Sequence, residues 1–204
     1  MPRQGTGFPA ALTIVKVGGS LVADRDRLRR VLASLADGED GPVAIVPGGG
    51  ALADAVRTTQ GALGFPDPLA HRLALDAMAG MARIFAALEP RLVVTQDPAG
   101  GLAAGTVPVW DPSPLAAGHP EIPESWDVTS DSLALWLAAR LGAARCLLVK
   151  SADPAPGAAL PDLARTGLVD AAFPAFATLF AGAIVLRGPG GDRTCRGSLS
   201  ERAA

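Results

Sequence analysis

Residues 12–20 of the chain read LTIVKVGGS, an apolar run that carries one lysine and ends on two glycines and a serine. Residues 43–50, VAIVPGGG, repeat the arrangement without the lysine. Two strands that each end in a glycine-rich turn before a helix can direct several backbone N–H groups at one point. The pattern therefore predicts an α/β protein with a parallel sheet and an anion site at the glycine turns.

Apolar spacing predicts the other elements in alternation. Strands are expected at 12–17, 43–46, 91–95, 106–110, 145–149 and 183–186. Helices are expected after Asp24, at 51–59, at 68–88, around Leu133 to Leu141 and at 173–180. Residues 97–101, 111–125 and 154–161 are interpreted as loops, and the tail 188–204 receives no firm prediction. The 68–88 helix is apolar on two faces, which predicts an interface between copies as well as a core contact.

The composition excludes several classes of protein. A net charge of −2 gives no basic surface for nucleic acid. No apolar run reaches the roughly 18 residues of a membrane span, and residues 1–11 lack the apolar core of a signal peptide. We therefore expect a cytoplasmic protein with neither nucleic acid nor membrane as partner. Two cysteines and two distant histidines predict no metal site, and Cys146 is expected to be a buried spectator.

The lysines are the sharper clue. The chain has 16 arginines and only two lysines, Lys16 and Lys150. Both stand at or next to the end of an apolar run, where a flexible ammonium can reach phosphate and a planar guanidinium would not simply replace it. Chance survival of two lysines is the weaker interpretation.

Three segments converge if the strands are parallel, because the carboxyl ends of parallel strands share one edge of the sheet. The first is the turn after Lys16, the second is the 48–50 glycine turn, and the third is the helix start at 129–131 followed by Lys150. Phosphoryl transfer requires such a set, since its catalysis consists mainly of positioning and of neutralising charge. No histidine or cysteine base is needed when the acceptor is already an anion.

Each element also has a structural interpretation. Glycine pairs after strands are common turns. Asp131 could complement the helix dipole, with Thr129 or Ser130 as the cap. Lys150 could lie at the sheet edge in solvent, Trp126 could pack in the core, and His71 could be a core or interface residue. The joint occurrence of the motifs in this order favours the functional interpretation.

The order of motifs resembles the amino acid kinase family. The segments that carry the resemblance are KVGGS at 16–20, PGGG at 47–50, and TSD at 129–131 followed by a Leu/Ala-rich helix. The match runs from about 12 to 186, so we expect a single domain over 1–204. The resemblance implies a three-layer α/β/α sandwich with a mainly parallel sheet, ATP and Mg²⁺ as cofactors, and transfer to an anionic oxygen.

The resemblance also implies roles for individual residues. Lys16 would stabilise the transferring group, and Asp131 would organise the lysines. Members of the family often carry a second lysine in a later glycine-rich loop; here Lys150 is proposed in its place. The predicted sites are catalytic Lys16, Asp131 and Lys150; ATP-binding Gly18, Gly19, Ser20, Ser151 and Asp153; and substrate-binding Gly48, Gly49, Gly50, Arg72, Asp76, Asp127, Thr129 and Ser130, with no metal ligand among them.

Within the family, WDVTSDS at 126–132, HRLALDAM at 71–78 and LVD at 168–170 resemble a small archaeal and methylotroph branch. Its characterised activity implies an acceptor, 5-(aminomethyl)-3-furanmethanol phosphate, that is converted to a diphosphate in methanofuran biosynthesis. Arg72 or the hydroxyls of Thr129 and Ser130 would take its phosphate, and Asp76 or Asp127 its ammonium group. Two alternatives stay open: a uridylate-type nucleotide monophosphate kinase, and a non-catalytic nucleotide- or oxyanion-binding protein on the same fold.

Overall fold

A computed structural model of the chain describes residues 12–196. The expectation that residues 1–11 carry no signal peptide lies outside the described residues, as does the end of the tail, 197–204. Within the described range, the chain forms one seven-stranded sheet with helices packed against it. The mainly parallel α/β architecture predicted from the sequence is confirmed.

The strands are β1 (Thr13–Val17), β2 (Val43–Pro47), β3 (Leu92–Thr95), β4 (Val107–Trp110), β5 (Arg145–Val149), β6 (Ala183–Gly188) and β7 (Gly191–Arg196). Their order in the sheet is β3-β4-β2-β1-β5-β6-β7. The first six strands run parallel and β7 is antiparallel to β6. The strand with the lysine, β1, is therefore central.

The helices are α1 (Arg25–Ala36), α2 (Gly50–Leu63), α3 (Asp67–Leu88), α4 (Pro98–Ala103), α5 (Ser130–Arg140), α6 (Leu160–Arg165) and α7 (Phe173–Leu179). Short 3₁₀ helices span Gly19–Ala23 and Ser113–Ala117. The start of α1 follows from Asp24, whose carboxylate accepts a hydrogen bond from the N–H of Arg27 at 3.0 Å and so caps the helix.

Strand register brings the glycine turns to one edge of the sheet. Val17, the last residue of β1, is paired with Pro47 on one side and with Val149 on the other. The three strands consequently end at the same level. Gly18, Gly48 and Lys150, which follow these strands in the sequence, must then emerge side by side.

Two layers of buried side chains lie on the two faces of the sheet, because successive residues of a strand point to opposite faces. Ile14 belongs to a cluster that includes residues of α5, α6 and α7, whereas Val15 and Val17 belong to a cluster with residues of α1. The three-layer arrangement implied by the family resemblance is therefore confirmed. Cys146 on β5 is fully buried, as expected.

Two predictions of secondary structure were wrong. Residues 97–101 were interpreted as a loop, but α4 begins there, because Asp97 accepts a hydrogen bond from the N–H of Gly100 and Pro98 follows it at the first helical position. The interpreted 154–161 loop ends early, since α6 begins at Leu160. The strand expected at 183–186 is present as β6, and β7, which lies in the tail that received no firm prediction, pairs with it along the edge.

The α3 helix is buried more on one face than on the other. Leu75, Met78, Ala82 and Phe85, which form one predicted stripe, are all buried. In the other stripe Ala77 and Met81 are buried, but Leu73 and Ile84 are 38% and 43% exposed. In the part of the chain that the structure describes, no helix combines the length and apolar character needed to cross a membrane.

Candidate active site

The two glycine turns are in direct backbone contact. The N–H of Gly48 donates to the carbonyl of Val17 at 2.9 Å, which ties the second turn to the first strand. A Cβ atom on Gly19 would lie 2.2 Å from the nitrogen of Gly50, closer than two nonbonded heavy atoms can approach. Gly50 itself has a φ of +54°, in the left-handed region. Only glycine allows this approach, so the turns form one continuous surface of backbone groups.

A buried carboxylate lies between the two lysines of the chain. The Nζ atom of Lys150 donates a hydrogen bond to Oδ2 of Asp131 at 2.6 Å. The Nζ atom of Lys16 lies 2.9 Å from Oδ1, an ion-pair distance whose angles fall outside hydrogen-bond geometry. All three residues are buried, with exposures of 5% to 7%. Asp131 therefore bridges two ammonium groups that come from β1 and from the end of β5.

The electrostatics of the cluster keep Asp131 ionised. Burial alone would raise the pKa of Asp131, but the positive charges of Lys16 and Lys150 outweigh burial and lower that pKa below its usual value. For Lys150 the balance is reversed: burial and repulsion from Lys16 lower its pKa to about 8, although Asp131 opposes the change. Lys150 therefore titrates close to neutral pH.

A second carboxylate, Asp170, caps the helix that carries Asp131. It comes from the connection between α6 and α7, 41 residues from Thr129 in sequence. It accepts hydrogen bonds from the N–H groups of Thr129 and Ser132 at 2.9 and 3.0 Å, and from both of their hydroxyl groups. Burial and the nearby charge of Asp131 raise the pKa of Asp170, and the hydrogen bonds from Ser132 and Thr129 oppose this rise.

Two cavities adjoin at Lys16, which lines both. The α3-side cavity, of about 250 Å³, lies between the glycine turns and α3. The α6-side cavity, of about 370 Å³, lies next to Asp131 and the 167–170 segment. Five residues line both cavities, namely Lys16, Ser20, Arg57, Trp126 and Thr129.

The α3-side cavity has an apolar wall with a polar roof. Leu75 and Met78 line it from α3, together with Val128 and Leu133. At the roof, the guanidinium of Arg57 stacks over the Trp126 ring at 4.1 Å.

The indole and the imidazole at this cavity are fixed by hydrogen bonds. The Trp126 N–H donates to Gln60 at 2.6 Å. Nδ1 of His71 lies 3.1 Å from the carbonyl of Ser125, so this nitrogen must be the protonated one. Such a cavity suits a small, mainly apolar molecule with an anionic end near Lys16.

The structure brings together most of the predicted site residues. Gly19, Ser20, Gly48, Gly49, Gly50, Thr129 and Ser130 line the α3-side cavity with Lys16, and Ser151 lines the α6-side cavity with Asp131 and Lys150. The Ser20 hydroxyl donates to the Ser151 hydroxyl at 3.0 Å, which connects the first turn to the loop after Lys150. Lys150 is buried rather than solvated at the sheet edge.

Five predicted residues lie outside the lining of both cavities. Arg72 is engaged by Glu124 in a two-point pair of 2.8 and 2.9 Å, and the exposed Asp76 does not face either cavity. Asp127 lines a separate depression next to Ala172. Asp153 accepts hydrogen bonds from the N–H of Gly190 and so holds the β6–β7 turn. Finally, the N–H of Gly18 donates to the carbonyl of Val149 at 3.0 Å.

Sequence reasoning assigned no role to three residues that the fold places at the cavities. Arg57 lies on α2, one turn beyond the exposed Asp54, and resembles any surface arginine in sequence. Asp170 carried a signal, because it is an isolated acid between apolar residues, but its partners could not be read from the sequence. His71 was interpreted as a core residue, and it is both buried and part of the cavity lining.

Comparison with known proteins agrees with this geometry. A sequence model described as the amino acid kinase family matches residues 11–100. A curated relative from Methanocaldococcus jannaschii, named [5-(aminomethyl)furan-3-yl]methyl phosphate kinase, is 29% identical over 144 residues. The resemblance to the amino acid kinase family is confirmed. The alignment covers 69% of this chain and 66% of that relative, just under two thirds of its length.

Several solved kinase structures have a fold similar to that of this chain. Uridylate kinase from Archaeoglobus fulgidus has a TM-score of 0.60 at 18% identity, and the alignment covers 86% of this chain and 89% of the uridylate kinase chain. UMP kinase from Ureaplasma parvum has a TM-score of 0.64 at 12% identity, with coverages of 91% and 93%. Aspartate kinase from Synechocystis has a TM-score of 0.63 at 18% identity, and 41% of its length is covered. These relatives are named as kinases, which agrees with the phosphotransferase class expected from the sequence.

Proposed function

We propose that this protein transfers the γ-phosphoryl group of ATP to the phosphate of a small phosphate monoester, and that the acceptor is 5-(aminomethyl)-3-furanmethanol phosphate. One observation carries the proposal: the Lys16–Asp131–Lys150 cluster lies where two cavities meet. A donor in one cavity and an acceptor in the other would place the moving group next to both ammonium groups.

The proposed reaction needs no protein base. An oxygen of the acceptor phosphate attacks the γ-phosphorus of ATP, and a new P–O bond forms. The bond from the γ-phosphorus to the β–γ bridging oxygen breaks, and its electron pair leaves with ADP. The acceptor phosphate has a second pKa of about 6 and is therefore mostly dianionic at neutral pH. The lysines neutralise the charge that repels donor from acceptor.

The α6-side cavity is the proposed ATP site, and magnesium would enter it with the nucleotide. The two carboxylates that line this cavity, Asp131 and Asp170, are already held by the lysines and by Thr129 and Ser132. Mg²⁺ keeps several waters and is often bound mainly through substrate phosphates. The ion would neutralise phosphate charge there, while the glycine turns, which line the α3-side cavity, would orient the acceptor phosphate through backbone N–H groups.

The size of the α3-side cavity favours the furan phosphate. At about 250 Å³ it is smaller than the roughly 300–1,000 Å³ typical of sites for drug-sized ligands. A five-membered ring with two short substituents suits an apolar wall of leucine, methionine and valine. The name of the relative from Methanocaldococcus jannaschii supports the same choice.

A uridylate-type kinase is the second candidate, because two of the compared structures are uridylate or UMP kinases. A uracil base presents donors and acceptors that a specific site must satisfy. Within residues 12–196, the lining of the α3-side cavity includes no asparagine or glutamine side chain. A binding protein without turnover is the third candidate, although binding alone would not require an aspartate between two lysines.

The test is phosphate transfer from ATP with Mg²⁺, with the furan phosphate, uridine monophosphate or no acceptor offered in parallel. The wild type is compared with Lys16→Ala and with Arg83→Ala, an exposed cation on α3, as the matched control. We expect turnover of the furan phosphate that Lys16→Ala lowers by about 10²- to 10³-fold, as for loss of a group that stabilises transition-state charge. Turnover of uridine monophosphate alone would support the uridylate-type kinase instead. ATP binding without turnover of any acceptor would favour a binding protein.

We also propose a single-domain, cytoplasmic protein that forms a homo-oligomer through α3. The exposed side chains Leu69, Leu73 and Ile84 on that helix support the interface. Light scattering of the wild type and of a Leu73→Glu variant would test it. A monomeric wild type would contradict the proposal.

A further inference from the structure

We propose that Asp170 is a positioning residue that caps α5 from the α6–α7 connection and thereby holds Asp131 between Lys16 and Lys150. The inference deepens the proposed kinase function and rests on it. Asp170 is not among the site residues predicted from the sequence, and its contacts appear only in the folded chain.

The cap of α5 is supplied from a distance. Thr129 occupies the cap position by sequence, but its own side chain makes no hydrogen bond to the first turn. The Asp170 carboxylate instead accepts from the N–H groups of Thr129 and Ser132, which are unpaired donors at a helix start. A carboxylate there also benefits from the helix dipole. The first turn of α5, which contains Asp131, is therefore fixed by Asp170.

The hydroxyl contacts determine what Thr129 can offer a ligand. A hydroxyl group has one proton to donate, and a carboxylate can only accept. Since the Thr129 hydroxyl donates to Asp170 at 2.8 Å, its oxygen presents only lone pairs to the cavities. We therefore assign the Thr129 hydroxyl to accept a hydrogen bond from a donor group of the ligand. Contrary to the expectation from the sequence, the phosphate is assigned to Lys16 and the glycine turns.

Asp170 also acts on Lys150 through its charge. The titratable groups whose charges reach Lys150 are Lys16 on β1, Asp131 on α5 and Asp170. The negative charges of Asp170 and Asp131 favour the protonated form of Lys150, whereas the positive charge of Lys16 disfavours it. Removal of the Asp170 charge should consequently lower the pKa of Lys150.

The experiment compares Asp170→Asn with Asp162→Asn, a matched change at an exposed aspartate of α6 whose partner is the exposed Arg165. Because the chain contains only two lysines, carbon-13 labelling of lysine side chains yields two resolvable NMR signals, and Lys16→Ala assigns them. The pKa of Lys150 is read from its signal, and kcat and KM are measured with ATP and the furan phosphate.

We expect Asp170→Asn to lower kcat by roughly 10- to 100-fold, with a smaller change in KM, because misplacement of a supported group has effects of this size. The Lys150 pKa should fall below that of the wild type. Asp162→Asn should match the wild type in both measurements. A purely structural cap would lower the melting temperature of Asp170→Asn and leave its Lys150 pKa unchanged.

An Asp170→Asn protein with wild-type kcat, or with an unchanged Lys150 pKa, would overturn the inference while the kinase function stands. If the wild type turns over no acceptor, the proposed function fails, and the lysine titration still decides whether Asp170 acts on the cluster. If Asp170→Asn does not fold, Ser132→Ala replaces it. Ser132 lines neither cavity, so a partial fall in kcat supports the inference and a wild-type kcat overturns it.

Discussion

The two cavities share the Lys16 ammonium but differ in what surrounds it. The α6-side cavity is charged, with Asp131, Lys150 and Asp170 in its wall. The α3-side cavity is mainly apolar, with Leu75 and Met78 in its wall. Under the proposed function, the charge that would neutralise phosphates is concentrated on one side, and the shape that would select a small molecule lies on the other. The contrast predicts that rate and specificity depend on different side chains.

The largest effect should come from the shared carboxylate. Asp131→Asn leaves two buried ammonium groups without an anion between them, and Lys150 would then lose its proton. We expect kcat to fall by about 10²- to 10³-fold, on the scale of a lost electrostatic group in an active site. Steady-state kinetics with saturating ATP measures it. A decrease of less than tenfold would mean that the lysines hold their places without Asp131.

The pH dependence of kcat/KM, which reports pKa values of the free enzyme, tests the charged side of the comparison. The pKa of Lys150 is lowered to about 8, so its ammonium is present below that pH and is lost above it. We expect the activity to fall about tenfold for each pH unit above 8. In Lys150→Arg the guanidinium stays protonated, and the decrease should disappear in any residual activity. A wild-type profile that is flat to pH 10 would exclude Lys150 as the titrating group.

A smaller and more selective effect should follow a change in the apolar wall. Met78→Trp would fill part of the α3-side cavity, and we expect the KM for the acceptor to rise about tenfold. That corresponds to the roughly 1–3 kcal/mol that shape discrimination in an apolar pocket provides. The KM for ATP should stay constant. Arg83→Trp, on the exposed face of the same helix, is the control. Equal rises for both substrates would show that the cavities are not separate sites.

The smallest effect is expected from residues that the sequence placed at the substrate and the structure does not. Arg72→Ala and Asp76→Asn should each change kcat/KM by no more than about twofold. Asp76 is an exposed residue outside both cavities, and an exposed ion pair such as that of Arg72 contributes little. The Arg72 guanidinium is engaged by Glu124 outside both cavities. If either variant raised the acceptor KM tenfold or more, the acceptor would have to extend beyond the α3-side cavity toward this face of α3.

Local sequence predicted the regular parts of the molecule well. The mostly apolar segments that form β1, β2 and β5 are recognisable because a central parallel strand is buried on both faces. Asp24 marked the start of α1 by a capping rule that acts over three residues. An error fell where local signals conflict, because glycines obscured the Asp97 cap of α4. The polar composition of β7 gave no sign of an edge strand, so no prediction was made for it.

The sequence by itself determined the glycine turns, Lys16, Asp131 and Lys150, because strand ends and a helix start fix these positions through interactions a few residues apart. Only the tertiary structure decided that Lys150 is buried against Asp131, that Asp170 caps α5 from 41 residues away, and that Arg72 is paired with Glu124. These contacts depend on where α3, the 111–125 segment and the α6–α7 connection come to lie. Contacts between residues so far apart in sequence are set by the packing of helices and loops, and no local sequence pattern encodes them.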